Sequence, residues 1–255
     1  MSMIYDLQRA SMLKRISAWL LDAILLCIIA TLMAFLLSTA LNYDDYSARL
    51  EARYAHFEAE YGVTRDLTQA QVDAMTPEEL ANLEDASKAI AEDEEALYAW
   101  NMMLQLMILI TSFGILLAYA VLEFTVPMVL GNGQTIGKKV FGIGVMRQDG
   151  VKVNGVCMFV RTVLGKYAIE TMIPVYIIIM IYFNSIGLVG PGIMLVIGAV
   201  QIVLMIATKT NSVIHDCLAT TVVVDLPSQM IFNTREELMA YKEKLHAEKV
   251  ARTPY

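Results

Sequence analysis

Four stretches of the chain carry almost no polar residues. They run from Ile16 to Leu41, from about Ala99 to Leu122 with an extension toward Leu130, from Ala168 to Phe183, and from Pro191 to Thr208. A bilayer core of about 30 Å needs about 20 residues of helix, and the first two stretches meet that length. The third and fourth are separated only by Asn184 to Gly190 and read as a tight transmembrane hairpin, because IPVYIIIMIYF has no polar face to offer water. The first run is longer than the apolar core of a signal peptide, about 7–15 residues, and contains Asp22, so it reads as a retained span. The pattern predicts an all-α polytopic membrane bundle with four transmembrane helices.

The polar stretches give the rest of the plan. Between the first two spans, Leu50, Tyr54, Phe57 and Tyr61 recur at helical spacing and Gly62 ends that pattern. Thr76 then reads as a helix cap, with Pro77 at the first helical position and two glutamates in the first turn. Two helices are therefore expected in this insertion, a helical hairpin outside the cytoplasm, the second continuing toward span two. Its aromatic stripe reads as packing between them. In the tail, Thr234 and Glu237 form a capping-box pattern ahead of a short amphipathic helix. The expected divisions are residues 1–41 (interfacial segment and first span), 42–98 (acidic helical insertion), 99–224 (three further spans with their loop) and 225–255 (amphipathic tail).

Composition agrees with a membrane chain. Of 255 residues, 57% are hydrophobic and 18% charged, against about half and a quarter in soluble domains. The net charge of −7 argues against nucleic-acid binding, which needs a basic face. That charge is unevenly placed. Asn42 to Leu97 carries 4 basic and 15 acidic residues, whereas Pro127 to Lys166 carries Lys138, Lys139, Arg147, Lys152, Arg161 and Lys166 against Asp149 alone. The N-terminal stretch adds Arg9, Lys14 and Arg15. The positive-inside rule then places the basic stretches and both termini in the cytoplasm and the acidic insertion outside, with the plasma membrane as the site. Cys27, Cys157 and Cys217 are an odd number without metal-ligand spacing; reduced thiols are expected, with no metal and no cofactor.

Ionisable groups inside a span are costly, about 2.5–3.5 kcal/mol near the bilayer centre, and each asks for a partner or a function. Asp22 lies seven residues after Arg15, two turns deeper on one helix face. Arg15 reaches the interface by extending its side chain, which leaves Asp22 to meet a donor on another element. Glu123, Glu170 and Asp216 fall in the same cytoplasmic half, together with Lys138, Arg161, Lys166 and His215. Asp22, Asp216, Glu123 and Glu170 are the candidate proton- or ion-binding groups. Arg15, His215, Lys138 and Arg161 are the candidate counter-charges. A salt-bridge network that orients the helices is the alternative reading of the same residues.

The run GNGQTIGKKVFGIGV fails the phosphate-loop pattern, with three residues between its glycines and lysine where Ser or Thr is needed. It reads as a turn and an amphipathic interfacial segment whose Lys138 and Lys139 meet anionic headgroups. No nucleophile–base motif is present, and His56, His215 and His246 are scattered, so no catalytic residue is expected and the chain does not read as an enzyme.

Three motifs in order resemble the RDD family of bacterial integral membrane proteins, named for one arginine and two aspartates. Arg15-Ile-Ser-Ala18-x3-Asp22 resembles its first-span signature, Gly133-Gln-Thr-Ile-Gly-Lys138-Lys-x-x-Gly142-Ile-x-Val145 its loop after span two, and His215-Asp216-x-Leu218-Ala219-Thr220-Thr221-Val222 its closing motif. The resemblance implies that Arg15, Asp22 and Asp216 are the name-giving positions. It covers Leu13 to Leu41 and Ala99 to Val224; the acidic insertion is longer than the family pattern suggests. It also implies transport of small ions, sodium/proton antiport included, for some members, and an accessory role in larger membrane assemblies for others. The expectation is therefore a transporter, in which four spans call for a homo-oligomer. The other expectation is a non-transporting scaffold whose segment 42–98 binds an extracytoplasmic protein partner.

Overall fold

The computed structural model describes residues 7–252. In chain order its helices and strands are α1 (Met12–Ala40), α2 (Tyr43–Tyr61), α3 (Gln69–Asp73), α4 (Pro77–Glu92), α5 (Glu94–Leu130), α6 (Ile136–Val140), β1 (Ile143–Arg147), α7 (Gly155–Tyr182), α8 (Val189–Ala207), α9 (Ile214–Leu218), β2 (Thr221–Asp225) and α10 (Arg235–Arg252). Helices α1, α5, α7 and α8 are each long and apolar enough to cross a membrane. At 1.5 Å per residue the 29 residues of α1 extend about 44 Å, longer than the hydrocarbon core. Large apolar side chains stay exposed along these helices, Phe35, Leu195 and Ile206 among them, as lipid-facing positions require.

The chain divides into two compact units, Thr31–Gly114 and the combination of Met1–Ala30 with Ile115–Tyr255. In the first, α2 packs on α4. Leu50 is buried against Ala96 and Ala99, with Tyr54, Ile90 and Met103 around them. Phe57 is buried, with the Arg53 guanidinium over its ring. The aromatic stripe is thus packing. Gly62, at φ 64°, ends α2 by returning its N–H to the Glu58 carbonyl. Thr76 and Glu79 close a reciprocal capping box on α4. The expected run from α4 into span two is interrupted: Asp93 is extended, and its carboxylate accepts from Ala96 N at 2.7 Å, so a fresh cap starts α5.

In the second unit the spans differ from their sequence limits most at α7, which starts at Gly155 rather than Ala168. Hydropathy cut it short because Arg161 and Lys166 lie between Gly155 and Ala168. Residues Val160–Met172 are wound as π-helix, and so are Ala120–Thr125 of α5, which contain Glu123. Such wide turns concentrate at functional sites. Here both hold the buried charges of their helices, and Thr162 Oγ1 ties them together by donating to the Glu123 carbonyl at 2.8 Å.

The all-α expectation needs one correction. β1 and β2 form an antiparallel pair, Ile143 opposite Asp225 through Arg147 opposite Thr221. The N-terminal residues extend it, with Arg9 bridging to Val224 and Ala10 N donating to the Val223 carbonyl. Ile143, Val145, Val153, Met158 and Val223 fill a core under this sheet with Ala18 of α1. The segment read as interfacial is therefore a turn, a one-turn helix and a strand. Lys138 is buried there, not at a headgroup surface, while Lys139 is exposed. Thr220, at φ 52°, makes the turn into β2 in a conformation rare for a β-branched residue.

Candidate functional site

The sheet brings two distant sequence motifs against α1. Thr135 caps α6 by accepting from Lys138 N, and its hydroxyl donates to Asp22 Oδ2 at 2.5 Å. Gly137 N donates to Asp22 Oδ1 at 2.7 Å. A Cβ at Gly137 would lie 2.8 Å from that same oxygen and would press on the Ala18 carbonyl. The glycine is thus required by close approach of α6 to α1. Asp22 meets donors on a short loop helix, not Arg15 two turns away.

Arg15 turns to the other aspartate. Its Nη2 lies 3.4 Å from Asp216 Oδ2, and its Nη1 donates to the Asn211 carbonyl at 2.7 Å. Asp216 is completely buried. Its Oδ1 lies 3.0 Å from Arg161 Nη2 and accepts from Thr221 Oγ1 at 3.0 Å. Burial pushes the Asp216 carboxyl up, but the Arg161 and Arg15 guanidinium groups and the Thr221 hydroxyl outweigh it and hold the group below the ordinary carboxylate range.

His215 connects this pair to Glu170. Its backbone N and its Nδ1 both lie on the Glu170 carboxylate, at 3.0 and 2.7 Å, and Nε2 lies 3.0 Å from Arg161 Nη2. Arg161 can only donate, so the network assigns Nε2 as acceptor and Nδ1–H as donor to Glu170. Burial lowers the imidazole pKa, which keeps this neutral tautomer. The remaining carboxylate, Glu123, accepts from Lys166 Nζ at 2.6 Å and faces Lys138 Nζ at 3.8 Å. Lys138 Nζ donates to Thr135 Oγ1 at 3.0 Å and lies 3.8 Å from Asp22 Oδ2. Burial pushes the Lys138 ammonium down to about 8, with Glu123 opposing and Lys166 and Arg161 assisting.

These side chains line a cavity of about 260 Å³. Asp22, Glu123, Asp216, Arg15, Lys138, Arg161, Lys166 and His215 all contribute, beside apolar walls that include Ile16, Trp19 and Met205. Of the candidate residues read from the sequence, only Glu170 does not line it. Asp22 and Asp216 share the cavity without sharing a donor. Sequence reasoning passed over Thr135 and Thr221, whose hydroxyls fix the two aspartates. The signal for Thr135 was its cap position ahead of Gly-Lys-Lys. Thr221 stood in the closing motif, but with β2 not foreseen nothing there placed its hydroxyl on Asp216. The three cysteines are free, and no group of three or more metal-ligating side chains occurs among the described residues.

Neither the curated proteins nor the solved structures compared with this chain include a match. A family model does match, over residues 9–220, and its description is the RDD family. The matched stretch takes in β1, all four apolar helices and every charged side chain of the cavity, and ends one residue before β2. With Arg15 joined to Asp216 and Asp22 held by the central motif, the chain belongs to the RDD family.

Proposed function

We propose that this protein transports a small ion in exchange for protons rather than catalysing a reaction. The observation that supports it is the convergence of charged side chains from α1, α5, α6, α7 and α9 on one cavity within an apolar helical unit. Intramembrane ionisable groups mark ion and proton pathways. Lys138, at about 8, loses its proton near physiological pH. A sodium ion would have to displace the donors that already hold Asp22, Glu123 and Asp216; proton exchange at Lys138 needs no such displacement.

In proteoliposomes, ion flux is expected to show an inflection near pH 8 that Lys138→Met removes. Flux unchanged by that substitution, or no flux of sodium, potassium, chloride or phosphate, would count against transport. Four spans suit a homo-oligomer, which crosslinking in native membranes tests. The proposed setting is the plasma membrane, with both termini in the cytoplasm and segment 42–98 outside, as the lysine and arginine distribution favours. A reporter fused at Asp73 should therefore be active only outside the cytoplasm.

A second reading is favoured by one observation: each carboxylate of the cluster is held by donors from this same chain. On that reading the network fixes helix positions, and the protein is an accessory subunit whose acidic segment binds an extracytoplasmic partner. Substitutions would then lower stability without a specific effect on flux, and crosslinking through residues 42–98 should capture a partner.

A further inference from the structure

We infer that the cavity takes a phosphate-class oxyanion, bound through Arg161. The inference rests on the ion-binding reading of the cavity and names the ligand's charge and chemistry. The lining carries four permanent or partial cations, Arg15, Lys138, Arg161 and Lys166, against three carboxylates, Asp22, Glu123 and Asp216. Glu170, the fourth carboxylate, is taken up by His215 away from the cavity. An incoming cation would find its carboxylates occupied and an excess of positive charge around it.

Arg161 supplies the specific handle. It is 2% exposed, and its Nη2 serves His215 and Asp216. Its Nη1 is buried with no hydrogen-bond partner among the described residues. A buried guanidinium nitrogen without an acceptor is costly, and guanidinium matches the oxygens of a phosphate better than any other side chain does. Lys138 adds capacity. Among the described residues only Thr135 lies within hydrogen-bond range of its Nζ, and both carboxylates stand at 3.8 Å, beyond that range. The apolar wall of Ile16, Trp19 and Met205 adjoins these cations, so the oxyanion can be free phosphate or the monoester headgroup of a lipid.

The test uses the full chain, purified in detergent and separately in nanodiscs. The probes are radiolabelled orthophosphate in the first, and phosphatidylcholine with or without phosphatidate in the second. Saturable phosphate binding, displaced by sulfate and weakened about ten-fold or more in Arg161→Lys, supports the inference with a free anion as source. Phosphatidate enrichment and stabilisation that the same variant loses supports it with a lipid as source. Arg161→Lys keeps a cation beside Asp216 while removing Nη1. If that variant does not fold, the wild-type arms decide alone. No phosphate bound at about 10 mM together with no phosphatidate preference overturns the inference, as does equal binding by wild type and Arg161→Lys. Binding without flux in proteoliposomes would remove transport and leave the anion site standing. Sodium flux indifferent to phosphate and phosphatidate would do the reverse.

Discussion

Asp216→Asn is expected to destabilise the purified protein far more than Asp22→Asn. Asp216 is fully buried and lies between two guanidinium groups, Arg161 at 3.0 Å and Arg15 at 3.4 Å. Neutralising it leaves both cations facing one another without compensation. Removing one partner of a buried pair costs about 3–5 kcal/mol. Asp22 accepts instead from a hydroxyl and a backbone N–H, with the Lys138 ammonium at 3.8 Å. Asparagine retains an oxygen for Gly137 N, so the loss there is about 1–2 kcal/mol. Thermal melting in detergent checks the ranking, and equal losses would refute it.

The same site fixes a pH dependence. The folded Asp216 carboxyl titrates below its unfolded value. Its contribution is therefore complete above the unfolded value, about 3.9, and is lost as pH falls through the folded one. Stability of the wild-type protein should decline below about pH 4, and Asp216→Asn should flatten that acid limb.

Gly165→Ala is expected to have the next largest effect. A Cβ at this position would lie 2.5 Å from His215 Cβ and 2.7 Å from its Cα. Neither atom is the end of a flexible side chain, so α7 and α9 must separate. The separation strains the bonds from His215 to Glu170, at 3.0 and 2.7 Å, and to Arg161 at 3.0 Å. Overpacking costs about 1–3 kcal/mol, and each weakened bond adds about 0.5–1.5. Gly198→Ala is the control: its Cβ would meet nothing within 4 Å, so helix propensity alone predicts a change of up to about 1 kcal/mol toward stability. Comparable melting losses in the two variants would show that the α7–α9 contact is not the constraint.

The four spans were legible because a bilayer imposes length and hydrophobicity on any crossing helix, and those properties are local. Asn42 and Asn184, both at left-handed φ beside span ends, continue the same local logic, since asparagine tolerates that conformation. The first turns of α7, α-helical to Phe159 and π-wound from Val160, were not legible. Its Arg161 and Lys166 lower the local hydropathy, and only their partners on α5 and α9 make burial tolerable. The sheet was missed for another reason. β1 and β2 are five residues each, and the partners Ile143 and Asp225 are far apart in the chain, so neither strand signals the other.

The amino-acid order by itself determined the apolar helices, the caps at Thr76 and Thr234, the placement of charge and the three motifs that carry the family resemblance. These depend on neighbours within one or two helical turns. Only tertiary structure decided which charge meets which. Arg15 and Asp22 share a helix face, yet a separation of two turns prevents their pairing. The sheet carries α6 to Asp22, and α9 carries Asp216 to Arg15 and Arg161. Coulomb and hydrogen-bond energies fall off within a few ångströms, so the partner of a buried charge is set by the fold that delivers it.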